Sequence, residues 1–125
     1  MRRLGAGSLV CTFIILAAGS SREAGATTTV KGYVIDSSCA FVKNLKRPIS
    51  PACAVSCAKA GSPLVILTES GMIYWPISGA IPATGQNDRL MEFAGNRVIA
   101  SGVVYSKGGS LAIVIENIKH APAGK

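Results

Sequence analysis

The stretch NDRLMEFAGNRVIASGVVYSKGGSLAIVIENI, residues 87–118, carries the pattern from which the fold follows. Asn87 or Asp88 is suited to cap a short helix over Arg89 to Ala94, which Gly95 ends. Arg97 to Ser106 then reads as a strand with Gly102 at its middle. Lys107-Gly108-Gly109 turns the chain, and Leu111 to Ile118 returns as a second strand. Val98, Ala100 and Val104 on the first, and Leu111, Ile113 and Ile115 on the second, alternate with residues for the opposite face and predict a one-sided core.

Upstream, Leu64 to Thr68 and Met72 to Ile77 read as a hairpin turned by Glu69-Ser70-Gly71. Gly79 to Gln86 is a loop rich in Gly, Pro and Ala. Thr28 to Asp36 is alternating and β-branched, with Gly32 at a bend. Between the first two strands, Ser37 to Gly61 loses this alternation. Within it Ser50-Pro51-Ala52 starts a short helix over residues 51–60, with Ser50 as N-cap and Pro51 at the first helical position, and Gly61 stops it. The order is strand, long connection, two strands, helix, two strands. That predicts an all-β fold with short helices, a five-stranded OB-like β-barrel, in which Gly32 and Gly102 mark points where a side chain would obstruct a coiled strand.

Composition agrees with one such domain. Of 125 residues, 49% are hydrophobic and only 15% charged, which argues against disorder, while 6% aromatics leave the core to Val, Ile, Leu and Ala. Arg2 and Arg3 precede the apolar run Leu9 to Ala18, and small residues follow, so residues 1–26 are expected to be a signal peptide. Cleavage is expected after Ala26, with Gly19 as the alternative. Cys11 lies inside the run, with no small residues just before it to suggest a lipidated N-terminus. The run is too short to cross a bilayer comfortably. Without residues 1–26 the chain keeps ten basic and five acidic residues, against thirteen and six before. The expected domain is 27–120 with a flexible tail at 121–125, periplasmic or secreted, with no membrane span in the mature chain. Nucleic acid is not an expected partner, because the positive residues are scattered and export removes the chain from it.

Gly32 to Cys39, then Cys53 and Cys57 followed by Ala58-Lys59-Ala60-Gly61-Ser62-Pro63, resembles a group of small exported bacterial OB-like domains with no settled function. Phe93-Ala94-Gly95, Val98 and Gly102-Val103-Val104 are similar to the same group's closing half, so the likeness covers residues 30–119. Its most specific part is Asp-Ser-x-Cys, then Cys-x3-Cys, then Gly-x-Pro. Many members carry a His shortly after the first Cys, and Ala40 to Ala52 contains none. The resemblance implies fold and location rather than activity.

The chemistry of the chain lies in Cys39, Cys53 and Cys57, which share one connection. Cys53 and Cys57 stand four apart on the expected helix and project from one face. Their geometry suits a disulfide poorly, whereas Cys39 bonded to either would close a loop of roughly 15 to 19 residues and contribute about 3 kcal/mol. Oxidising compartments favour that outcome. The alternative keeps all three as thiolates around copper or zinc, with His120, the one His, as a further ligand candidate. A second alternative is thiol–disulfide exchange by the remaining Cys, with Cys53 in the first helical turn and Lys59 and Arg47 nearby to favour a thiolate.

Strands two and three usually form the ligand face of an OB-fold, which makes Tyr74 and Trp75 ligand-face candidates, one on each side of the strand. The rival reading has Trp75 filling the barrel mouth. Lys43, Lys46 and Arg47 form a small basic cluster in the cysteine-bearing connection. One His and few, dispersed carboxylates offer no hydrolytic constellation, so no enzyme activity is expected. The sequence reading is an exported binding or interaction module of the cell envelope with a disulfide-stabilised loop and no cofactor. Its partner would be an unidentified protein or small ligand. Copper or zinc binding is the alternative function.

Overall fold

The computed structural model describes Gly5 and residues 26–123. The rest of the expected leader, Cys11 included, and the last two residues of the chain lie outside the described residues.

Strand β1 (Thr27–Asp36) begins as an alternating strand and ends covered on both faces, with Val34, Ile35 and Asp36 all buried. β2 (Leu64–Leu67) is buried at every position, as its unbroken Leu-Val-Ile-Leu run requires. β3 (Ile73–Pro76), β4 (Arg97–Lys107) and β5 (Ser110–His120) complete a closed barrel in the order β1-β2-β3-β5-β4. All neighbours are antiparallel except β3 and β5, which run parallel. This is the OB-like all-β barrel that the element order predicts. The interior is filled by Val30, Val34, Ile66, Leu90, Phe93, Val98, Ala100, Ile113 and Ile115. Val104 packs against this core without being fully buried, and Leu111 is half-buried.

Gly102 sits where the β4–β5 register shifts, and a Cβ there would run into the Val114 carbonyl. A Cβ at Gly32 would likewise run into the Leu67 carbonyl. Both glycines therefore let a neighbouring backbone approach, as barrel corners demand.

The connection between β1 and β2 holds more structure than the sequence suggests. Helix α1 (Ser37–Phe41) follows β1 directly, with the Asp36 side chain accepting the Cys39 amide as its N-cap. Helix α2 (Pro51–Lys59) starts as expected, with Ser50 Oγ accepting the Cys53 amide at 3.1 Å and Pro51 at the first position. Gly61, at φ +104°, ends it. Ala54 and Ala58 turn α2 toward the barrel core. On the outer face of β1 and β2 a second cluster forms from Ile35, Ala40, Val65 and Leu67, with Cys39, Leu45, Ile73 and Trp75 packed against it.

The helix expected over residues 89–94 divides into α3 (Asn87–Leu90) and a 3-10 turn, Met91–Phe93. No side chain caps α3. Asn87 is occupied elsewhere, accepting the Leu64 amide at 2.9 Å and donating to the carbonyls of Ala58 and Ser62 at 3.2 and 2.9 Å. It joins the end of α2 to the start of β2. His120 also departs from expectation. It belongs to β5, paired with Val98, and its ring lies 4.8 Å from that of Phe93. Among the described residues no helix is long and apolar enough to cross a membrane.

Candidate metal centre

Asp36 organises the site because it ends a strand and begins a helix at once. As the last residue of β1 it is 1% exposed, a carboxylate among buried apolar neighbours. Burying a charge is costly unless hydrogen bonds replace the lost water. They do so here: the Cys39 amide donates to Oδ2 at 3.1 Å and Ser62 Oγ donates to the same oxygen at 3.2 Å. Ser62 stands just beyond α2, so both helices of the connection are tied to the end of β1. A backbone bond from the Ser37 amide to the Pro63 carbonyl, at 2.9 Å, reinforces the tie.

Cys39, in the first turn of α1, and Cys57, in the last turns of α2, converge on this carboxylate. The ligating atoms of Asp36, Cys39 and Cys57 all lie within 4.8 Å of one another. Cys53, one turn before Cys57 on α2, lies outside that tight group. It is nevertheless near enough to Cys57 to contribute to the raised pKa of that thiol. Cys39, Cys53 and Cys57 are free thiols and each is half-buried.

The electrostatics follow from the carboxylate. Burial acts to raise the Asp36 pKa, but hydrogen bonds from the Cys39 thiol and amide, from Ser62 and from the Cys57 thiol outweigh it, and the net shift is downward. The thiols bear the consequence. The hydrogen bond to Asp36, followed by burial and the negative charge of Asp36, pushes Cys39 up to about 12. Burial and then the charge of Asp36 raise Cys57 as well. An exchange-active cysteine needs its thiolate at neutral pH. Cys39 and Cys57 are held as thiols instead, so the environment works against thiol–disulfide exchange.

The remaining candidates are arranged around this centre without entering it. His120 is not in the cluster and pairs with Phe93 instead. Tyr74 packs against the barrel core, while Trp75 points to the outer cluster and stacks on Phe41 with ring centroids 6.1 Å apart. Trp75 therefore does not fill the barrel mouth. It borders a groove of about 470 Å³ with Pro63, Pro76, Asn87 and Asp88. Lys43, Lys46 and Arg47 are exposed on the loop between α1 and α2.

Asp36 is the residue that the cysteine-centred sequence reading leaves out. Its signal was present: an Asp at the end of an alternating strand, three residues before a Cys, is an N-cap pattern that brings the carboxylate back to that Cys. Comparison of the chain with protein-family models, with curated proteins and with solved structures found no match.

Proposed function

We propose that the protein is a zinc-binding module that uses Cys39, Cys53 and Cys57 with Asp36 as the oxygen donor. The convergence of a buried carboxylate and two thiols from separate helices within 4.8 Å carries this reading. Three sulfurs and one oxygen are a complete tetrahedral set for Zn(II). Cu(I) prefers an all-sulfur trigonal site, and the carboxylate tilts the choice to zinc. Cys53 joins by a change of side-chain rotamer, since it already stands beside Cys57 on one face of α2. Four protein donors leave no position open for water or substrate, which is the pattern of a structural or storage site rather than a catalytic one. Because Cys39 and Cys57 start as thiols while Asp36 is ionised, zinc binding releases protons and weakens as the pH falls.

A second reading rests on the same proximity. In an oxidising envelope Cys39 and Cys57 are near enough to form a disulfide after small side-chain motions, which would tether α1 to α2 in an exported binding module. Metal analysis and thiol counting on the purified protein decide between the two. The zinc reading predicts one equivalent of zinc, three metal-protected thiols in the site, and loss of the metal in Cys57→Ser. Protein with no metal and two of the three thiols oxidised would replace it with the disulfide reading.

A further inference from the structure

The loop from α1 into α2 presents an unusual surface. Phe41, Val42 and Ile49 are 59%, 82% and 70% exposed. Between them stand Lys43, Lys46 and Arg47, all exposed and none ion-paired among the described residues. The sequence contains no acidic residue between Asp36 and Glu69. Asp36 is buried, and Glu69, the acid that faces this loop across the groove lined by Phe41 and Lys46, is held by Arg97 at 2.8 Å. The exposed side chain of Met72 extends the apolar patch, lining a second groove of about 480 Å³ with Phe41 and Trp75.

We propose that this patch is a docking surface for an anionic lipid bilayer, independent of the zinc site. Phe41, Val42, Ile49 and Met72 enter the boundary between headgroups and acyl chains, and Lys43, Lys46 and Arg47 reach the lipid phosphates around them. Apolar side chains interleaved with cations are what an interfacial segment needs, because insertion and charge attraction must act together for stable attachment. The long Lys and Arg stems let the charges stay at headgroup level while their neighbours go deeper. A second copy of this chain is a poorer occupant, since apposed patches would set three cations against three in molecules that carry ten basic and five acidic residues beyond the expected leader. Val42 and Ile49 project into solvent beyond the grooves that Phe41 lines, where a bilayer boundary can take them up.

Trp75, the only tryptophan of the chain and the stacking partner of Phe41, reports directly on this patch. The test uses vesicles of brominated phosphatidylcholine with and without phosphatidylglycerol, and reads bromine quenching of Trp75. Quenching is expected only with phosphatidylglycerol present and should decline as salt rises. The double variant Val42→Asp, Ile49→Asp, made at positions too exposed to matter for folding, should weaken the quenching by about tenfold or more. Charge reversal by Lys43→Glu with Lys46→Glu should do the same, with unchanged circular dichroism. Equal quenching by neutral vesicles, no quenching, or quenching indifferent to both variants would overturn the proposal. So would competition by soluble polyglutamate that is unaffected by Val42→Asp and Ile49→Asp, which would assign the patch to an acidic protein.

Discussion

A single carboxylate sets the chemistry of the candidate centre. Asp36 caps α1, takes the Ser62 hydroxyl and holds the Cys39 and Cys57 thiols, so one substitution separates its roles. Asp36→Asn keeps an N-cap acceptor but removes the charge. The Cys39 and Cys57 thiols should then ionise more easily, and their alkylation rate at pH 8 should rise by roughly tenfold or more. Zinc affinity should fall by at least about tenfold, read by competition with a chromophoric chelator. An alkylation rate equal to that of the parent would show that Asp36 does not govern the thiols. The same shifts predict how stability depends on pH. Cys39 rises from 9.0 to about 12 on folding, so its contribution is complete below pH 9 and is lost as the pH climbs from 9 toward 12. Asp36 is lowered from 3.8, so its contribution is present above pH 3.8 and is lost as the pH falls through its depressed folded value. Metal-free urea titrations should show the alkaline decline, and Cys39→Ser should flatten it.

The elements that carry the cysteines are held by caps and close backbone contacts rather than by large apolar faces. α2 buries only Ala54 and Ala58, so its start depends on Ser50 and Pro51. Ser50→Ala should cost about 1 kcal/mol, measured by urea denaturation. Gly95, at φ +81°, lies against the backbone of Pro51, so a Cβ there is excluded both by conformation and by contact. Gly95→Ala should destabilise the fold by roughly 2 kcal/mol and weaken zinc binding by displacing the start of α2. A variant with the parent's stability and affinity would show that α2 does not depend on this contact. α2 was legible in the sequence because Ser-Pro and Gly are local punctuation that survives any tertiary context. α1 was not legible: Ser-Ser-Cys-Ala-Phe is too short for a period, and what makes it helical is a cap from the preceding strand. The split of α3 was hidden for a related reason. Asn87 reads as a cap locally, but its side chain is taken by partners more than twenty residues away.

At the scale of the molecule, the barrel follows from strand order, alternation and two glycines, all of which are local or counted along the chain. The closure of β3 on β5 in parallel follows from that order, because the helix between β3 and β4 returns the chain to the far side. The centre is different. Its three tightly grouped groups come from a strand end and two helices, and only the folded barrel brings Asp36 and Cys57 together across twenty-one positions of sequence. Sequence reasoning found the sulfurs because cysteine is chemically conspicuous. It passed over the carboxylate because an Asp at a strand end is ordinary until its burial is seen. The barrel's first strand thus supplies the carboxylate, and the connection that follows it supplies the thiols.

X-ray absorption at the zinc edge of the reduced, zinc-loaded protein measures this donor set most directly. Three sulfur scatterers at about 2.3 Å and one oxygen at about 2.0 Å are expected, with the oxygen contribution altered in Asp36→Asn. A shell of nitrogen and oxygen alone, or protein that retains no zinc after desalting, would contradict it.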